Sequence, residues 1–202
     1  MKAPQSTDDK VLNRIYGWGR GKVFTPNRFL ELGSRNAVDQ ALSRLAKKGT
    51  IRRLAVGLYD YPASHPQMGV LFPSSDDVAV ALAKSSEVEL QPSGAYAANL
   101  LGLSEQVPMK VVYLTAGTPR RVRVGKREII LKRTTPRQMA TAGRISGLVI
   151  QALRYIGKAQ VNDELLEKVR SRLGADEKLQ LLNDLPQAPS WIAPHLRALA
   201  KD

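Results

Sequence analysis

Val38, Leu42 and Leu45, with Ala41 beside them, recur at the i, i+4, i+7 spacing of a single helical stripe. The spacing predicts a helix that starts at Arg35, with Ser34 as its cap because the hydroxyl accepts from a free first-turn amide. Gly49 is the expected stop. The face opposite the stripe holds Arg35, Asn36, Asp39, Gln40, Ser43, Arg44 and Lys47. The period then shortens. Ile51 to Leu54 and Val56 to Tyr61 read as two strands turning at Ala55-Val56-Gly57. Upstream, Val11, Leu12, Ile15 and Trp18 supply the buried face of a first helix. Thr7 is its expected cap, and Asp8 and Asp9 lie in the opening turn, where carboxylates suit the helix dipole. Met1 to Thr7 reads as a frayed end. Lys22-Val23-Phe24 is a short strand, and Thr25-Pro26 opens a second helix, Asn27 to Leu32, that stops at Gly33.

Helix, short strand, helix, turn, helix and hairpin, within about 60 residues, is the order of a winged helix-turn-helix. The prolines and glycine between Pro62 and Pro73 then predict a connector, which divides the chain into residues 1–62 and 63–202. In the second part, Ser74 or Ser75 caps a helix beginning at Asp76-Asp77, and Pro92-Ser93 opens another over Gly94 to Leu101. Lys110 to Thr115, Arg121 to Val124 and Glu128 to Lys132 are strand-like, the last two joined by a turn at Val124 to Arg127. They predict a small antiparallel sheet over about residues 110–133. From Pro136 the pattern is helical again, with apolar stripes at Ile145 to Ile156, Leu165 to Val169 and Leu179 to Leu185. The expected class is α+β and helix-rich: an N-terminal winged helix-turn-helix, then an α+β domain with a helical C-terminal segment.

Charge changes the picture more than length does. The chain carries a formal net charge of +13, with 31 Lys and Arg. Residues 1–62 hold 12 of those bases against 5 acids, more than half of the excess. A surplus of this sign favours a polyanion through counterion release from phosphates. An anionic membrane would also attract it. However, no run approaches the roughly 18 apolar residues of a spanning helix, and no basic-then-apolar signal segment opens the chain. The expected location is the cytoplasm. With no cysteine, disulfides, thiolate nucleophiles and cysteine zinc sites are excluded.

Candidate contacts follow from position. Arg35, Asn36, Gln40 and Arg44 carry the paired donors and acceptors that match guanine and adenine edges, so they are the expected base readers. Lys47, Lys48, Arg52 and Arg53 are the expected phosphate contacts. A second basic surface is expected at Arg120, Arg121, Arg123, Lys126 and Arg127, where alternation puts Arg121 and Arg123 opposite Val122 and Val124. That face serves equally well as a phosphate track or as a charged edge guarding a hairpin against aggregation. Catalysis finds little support. Gly17-Trp18-Gly19-Arg20-Gly21-Lys22 lacks the first glycine and the final hydroxyl of a phosphate-binding loop. His65 and His195 are far apart in sequence and have no converging ligands, so no metal, cofactor or catalytic site is expected.

Gly19 to Pro26, the helix Arg35 to Lys48 and the run Gly57 to Pro62 resemble the N-terminal winged helix of AbiEi-type antitoxins, abortive-infection regulators of type IV toxin-antitoxin systems. Pro92 to Ser104, the Val111 to Thr115 strand and the Val124-Gly125 hairpin are similar to the second domain of that group. The resemblance covers about residues 10–135. It implies a bacterial repressor that binds inverted repeats in its own promoter, as a dimer or as paired monomers, and counters a nucleotidyltransferase toxin without necessarily forming a stable complex with it. A toxin-independent DNA- or RNA-binding regulator is the alternative expectation.

Overall fold

The computed structural model describes residues 5–84 and 89–201, so the start of the expected frayed end, residues 1–4, lies outside the described residues. The architecture is mixed α+β. It divides into two compact units, one of residues 1–87 with 122–127 and one of 88–121 with 128–202. The division therefore falls past the proline connector that marked it in the sequence.

In the first unit, α1 (Thr7–Trp18) begins with a capping box. The Ser6 hydroxyl accepts from the Asp9 amide at 3.2 Å, and the Asp9 carboxylate accepts from the Ser6 amide at 3.3 Å. Ser6 is thus the cap, and Thr7 is already helical. After β1 (Val23–Phe24), the segment Pro26–Leu32 is a 3₁₀ helix rather than an α-helix. It is bounded by Pro26 at one end and Gly33 at the other, and its Phe29 is fully buried. α2 (Arg35–Lys47) follows, with the Ser34 hydroxyl accepting from the Ala37 amide at 3.3 Å. Gly49, at φ +72°, turns the chain out of the helix in a conformation that a side chain would disfavour.

β2 (Arg52–Ala55) and β3 (Leu58–Asp60) complete a three-stranded antiparallel sheet in the order β1-β3-β2. One buried cluster joins these elements: Val11 and Ile15 from α1, Phe24, Phe29, Val38 and Leu42, then Ile51 and Tyr59. Trp18, Phe24 and Phe29 form a ring triangle with centroids 5.2 to 5.7 Å apart, which fastens α1, β1 and the 3₁₀ turn together. The connector is not wholly irregular. It holds a two-stranded ribbon, β4 (Ser64–His65) with β5 (Gly69–Val70). α3 (Ser75–Lys84) is capped by Ser74, whose hydroxyl accepts from the Asp77 amide at 3.0 Å, and it packs against β1.

The second unit opens with β6 (Leu90–Ser93), an element the sequence hid behind Pro92, and continues into α4 (Gly94–Leu100). β7 (Lys110–Thr115), β8 (Arg120–Val124) and β9 (Arg127–Arg133) lie in a four-stranded sheet ordered β6-β7-β9-β8. This sheet is mixed, not antiparallel throughout: β6 runs antiparallel to β7, but β7 and β9 pair in parallel. β9 inserts between β7 and β8, so the strand order in the sheet differs from the order in the chain. The helical remainder is α5 (Pro136–Met139), α6 (Ile145–Ile156), α7 (Asp163–Arg170), α8 (Ala175–Asn183) and α9 (Ala193–Leu199). α6 is its axis. Val149, Ile150, Ala152 and Leu153 sit in a core shared with α4, α7, α8 and α9.

Leu42 lies in the centre of the first core, so Leu42→Ala should cost about 2 to 5 kcal/mol through lost burial and the cavity left behind. Val56, at the hairpin turn, is 89% exposed, and Val56→Ala should stay within about 0.5 kcal/mol. Urea unfolding of the two variants measures the contrast.

Candidate nucleic-acid interface

α2 turns by roughly 100° per residue, which sorts its side chains into three faces. Val38, Ala41, Leu42 and Leu45 face the core. Directly opposite, at i, i+4, i+7 and i+11, stand Asn36, Gln40, Ser43 and Lys47, all exposed. This stripe contains no carboxylate. The two expected arginine readers lie on its flanks, and each is held within the protein.

Arg35 donates from Nε to Asp39 Oδ2 and from Nη1 to Asn27 Oδ1, both at 2.9 Å. Arg44 grips Asp8 of α1 with two bonds, Nε to Oδ2 at 2.7 Å and Nη2 to Oδ1 at 2.6 Å. These hydrogen bonds hold the Asp8 carboxyl below its ordinary value against the opposing effect of burial, with a lesser contribution from the positive charges of Arg44 and Lys48. The same bonds raise Arg44. Arg44 is therefore a strut between α1 and α2, and its expected base contact would require that exposed pair to open.

The four expected phosphate contacts also separate. Lys47 and Lys48 are exposed in and just after the last turn of α2, and Arg53 is exposed on β2. None of the three has an ion-pair partner among the described residues. Arg52 behaves otherwise. It stands opposite Asp60 in the β2–β3 register and donates to both carboxylate oxygens, at 3.1 and 2.5 Å. Its Nη2 also donates to the Leu71 carbonyl at 2.7 Å, and its guanidinium lies 4.5 Å from the Phe72 ring centroid. Asp60 is 1% exposed, so Arg52 neutralises a buried carboxylate. Arg52 is only partly exposed and spends Nε and Nη2 on these protein acceptors, which leaves Nη1 alone for the expected phosphate contact.

The sequence reading passed over Arg20. It stacks 4.7 Å from the Tyr61 centroid and donates to the Pro62 carbonyl at 3.0 Å. With Thr50, Arg53 and Ser64 it lines an open groove of about 510 Å³ beside the hairpin. Its signal in the sequence is an arginine set between two glycines of a turn. On β8 the alternation holds: Val124 is buried while Arg121 and Arg123 are exposed, and Arg120, Lys126 and Arg127 are exposed as well. Arg121 lies 3.5 Å from Glu128. His65 is exposed and its Nδ1 accepts from the Gln67 amide, while His195 packs edge-on to Trp191. Among the described residues no three His, Asp or Glu side chains converge as a metal site, and no helix is long and apolar enough to cross a membrane.

Two measurements follow. Arg52→Ala leaves Asp60 buried and unpaired, so it should destabilise the protein by about 3 to 5 kcal/mol, read by urea unfolding at neutral pH. For Asp8, carboxyl NMR should give a midpoint below 3.8 that rises in Arg44→Gln. Because the folded value is the lower one, the contribution of the pair to stability is complete above pH 3.8 and disappears as pH falls through the folded midpoint.

The chain matches, over residues 10–181, the family described as "Family of unknown function (DUF6088)". No curated protein matches it.

Proposed function

The chain belongs to the DUF6088 family, and we propose that its first unit is a winged helix that binds double-stranded DNA, with α2 in the major groove and the β2–β3 hairpin as the wing. One observation carries this reading: the carboxylate-free stripe Asn36, Gln40, Ser43 and Lys47 lies directly opposite the buried face of α2. Asn36 and Gln40 have the amide geometry that reads adenine, and Ser43 can bond to either kind of edge. Arg35, already oriented by Asp39 and Asn27, stands at the entering end of the helix, where guanine contacts are made. Lys47, Lys48 and Arg53 hold phosphates on either side, and Arg20 adds a cation near the wing.

The resemblance to AbiEi-type antitoxins extends the proposal. The DNA is then an operator with inverted repeats in the protein's own promoter, bound by a dimer or by paired monomers. The chain represses that promoter and counters a nucleotidyltransferase toxin, with the antitoxin action in the second unit. The excess of positive charge supports the nucleic-acid half of this reading and is neutral on the toxin.

Fluorescence anisotropy on the full chain, with its promoter fragment and a shuffled fragment across a salt series, tests the DNA reading. Asn36→Ala or Gln40→Ala should cost ~1 to 3 kcal/mol on the promoter fragment and little on the shuffled one. Lys47→Ala or Arg53→Ala should weaken both alike and reduce the salt slope by about 1. Equal affinity of the wild-type chain for the two fragments would remove the claim of sequence reading.

A further inference from the structure

In the second unit, α5, α6 and the segment after α8 enclose a cleft of about 310 Å³. Its rim carries Arg137 on α5 and Arg154 in the last turn of α6, both exposed and without an ion-pair partner among the described residues. Its floor is polar. Thr141 and Gln151 line it although they are only 4% and 6% exposed. The Ser93 hydroxyl donates to Gln151 Oε1 at 3.2 Å, which leaves the amide nitrogen of a nine-tenths buried side chain without a partner among the described residues. Gln151 and Arg154 are three residues apart on α6 and so share a face of that helix. Gln138 adds another amide, whose oxygen is already taken by the Thr134 hydroxyl at 2.8 Å. No aspartate or glutamate lines the cleft.

An arginine at the end of a helix is ordinarily accounted for by the helix dipole, and one on a short surface turn by solvation. Neither accounts for the floor, where Gln151 is buried as a residue while its amide nitrogen is not among the buried unpaired atoms and so opens to the cleft with its protons unclaimed by the protein. Amide, hydroxyl and guanidinium donors converge without a competing acid, which is the chemistry of a phosphate oxyanion rather than of a cation or a neutral solute. The volume lies at the lower end of the range for small-molecule sites, more than a bare anion needs. Ile150 and Pro189 provide an apolar wall for the remainder of the ligand, and no aromatic side chain is present to stack a base.

We propose that this cleft binds a small phosphomonoester, with Arg137 and Arg154 on the phosphate and Gln151 donating from the floor. The site lies wholly within the second unit and does not depend on the DNA reading. Calorimetric titration of the full chain with ribose 5-phosphate, adenosine monophosphate, inorganic phosphate and ribose tests it. At least one ester should bind one-to-one and more tightly than inorganic phosphate, while ribose should not bind. Arg137→Gln and Arg154→Gln should each weaken the ester at least tenfold with no change in melting temperature, and Lys47→Ala should leave its affinity unchanged. Gln151→Leu keeps the volume and removes the amide; it should weaken the ester while the melting temperature holds or rises. Absence of one-to-one ester binding overturns the site. So does ester affinity that survives both arginine substitutions, or that falls equally in Lys47→Ala as general attraction to basic surface would require. A DNA duplex that displaces the ester with an affinity sensitive to Arg154→Gln would reassign the cleft to nucleic acid and overturn the small-molecule proposal.

Discussion

The buried pair of Arg52 and Asp60 sets the conditions for everything beside it in the first unit. β3 is the central strand of its sheet, and its last residue is a carboxylate withdrawn from water. Alone, such a group would cost several kcal/mol. Arg52 meets it from the neighbouring strand with both oxygens bonded, and this fixes the hairpin register, since a slip of one residue would leave the carboxylate without its partner. The same guanidinium reaches the Leu71 carbonyl and the Phe72 ring, so the chain beyond the hairpin is tied to it as well. The bulge between Arg53 and Ala55 then adds local twist beyond a pinned point. Arg53 is thereby presented outward because Arg52 is held inward.

A similar division governs α2. A helix bearing arginine on every polar position would attract any phosphate and discriminate poorly, because the electrostatic part of binding carries no sequence information. Here Asp8 and Asp39 absorb much of the charge of Arg44 and Arg35. What remains opposite the core is amide, hydroxyl and one lysine. Arg35 is also oriented before any partner arrives, which lowers the entropy lost when a side chain is ordered at an interface. On the proposed DNA reading, the acids near this face favour selectivity over raw affinity.

Period and capping made much of this fold legible. The α2 stripe, its Ser34 cap, the hairpin turn and strand β7 are local properties of consecutive residues, and the structure has them where the pattern put them. Partners distant in sequence were less accessible. Arg52 reads as a wing cation until Asp60 is placed across from it. The clue was available, since positions 52 and 60 are equidistant from Val56 at the turn. Arg44 offered no such clue, because Asp8 lies on another helix. Pro92 concealed β6 since proline followed by serine imitates a helix start, yet β6 is an edge strand, where a missing amide is tolerated. The parallel β7–β9 pairing follows from inserting a later strand between two earlier ones, a choice made by tertiary packing that leaves no mark on any one segment.

α6 shows how one helix can serve a core and a polar site together. Almost every residue from Ser146 to Leu153 is buried, so the polar groups of this stretch are met mainly within the protein or at the cleft. At its start they are met fully: the Ser146 hydroxyl bonds to Asp184, which Arg144 also contacts at 2.7 Å. Gly147 is required there because a Cβ would lie 2.2 Å from the Thr141 carbonyl and 2.3 Å from Gln91 Oε1. Further along, Gln151 obtains only one of the bonds its amide can make. The contrast between a fully answered polar group at one end and a half-answered one a turn later, beside two unpaired arginines, distinguishes the cleft from ordinary surface.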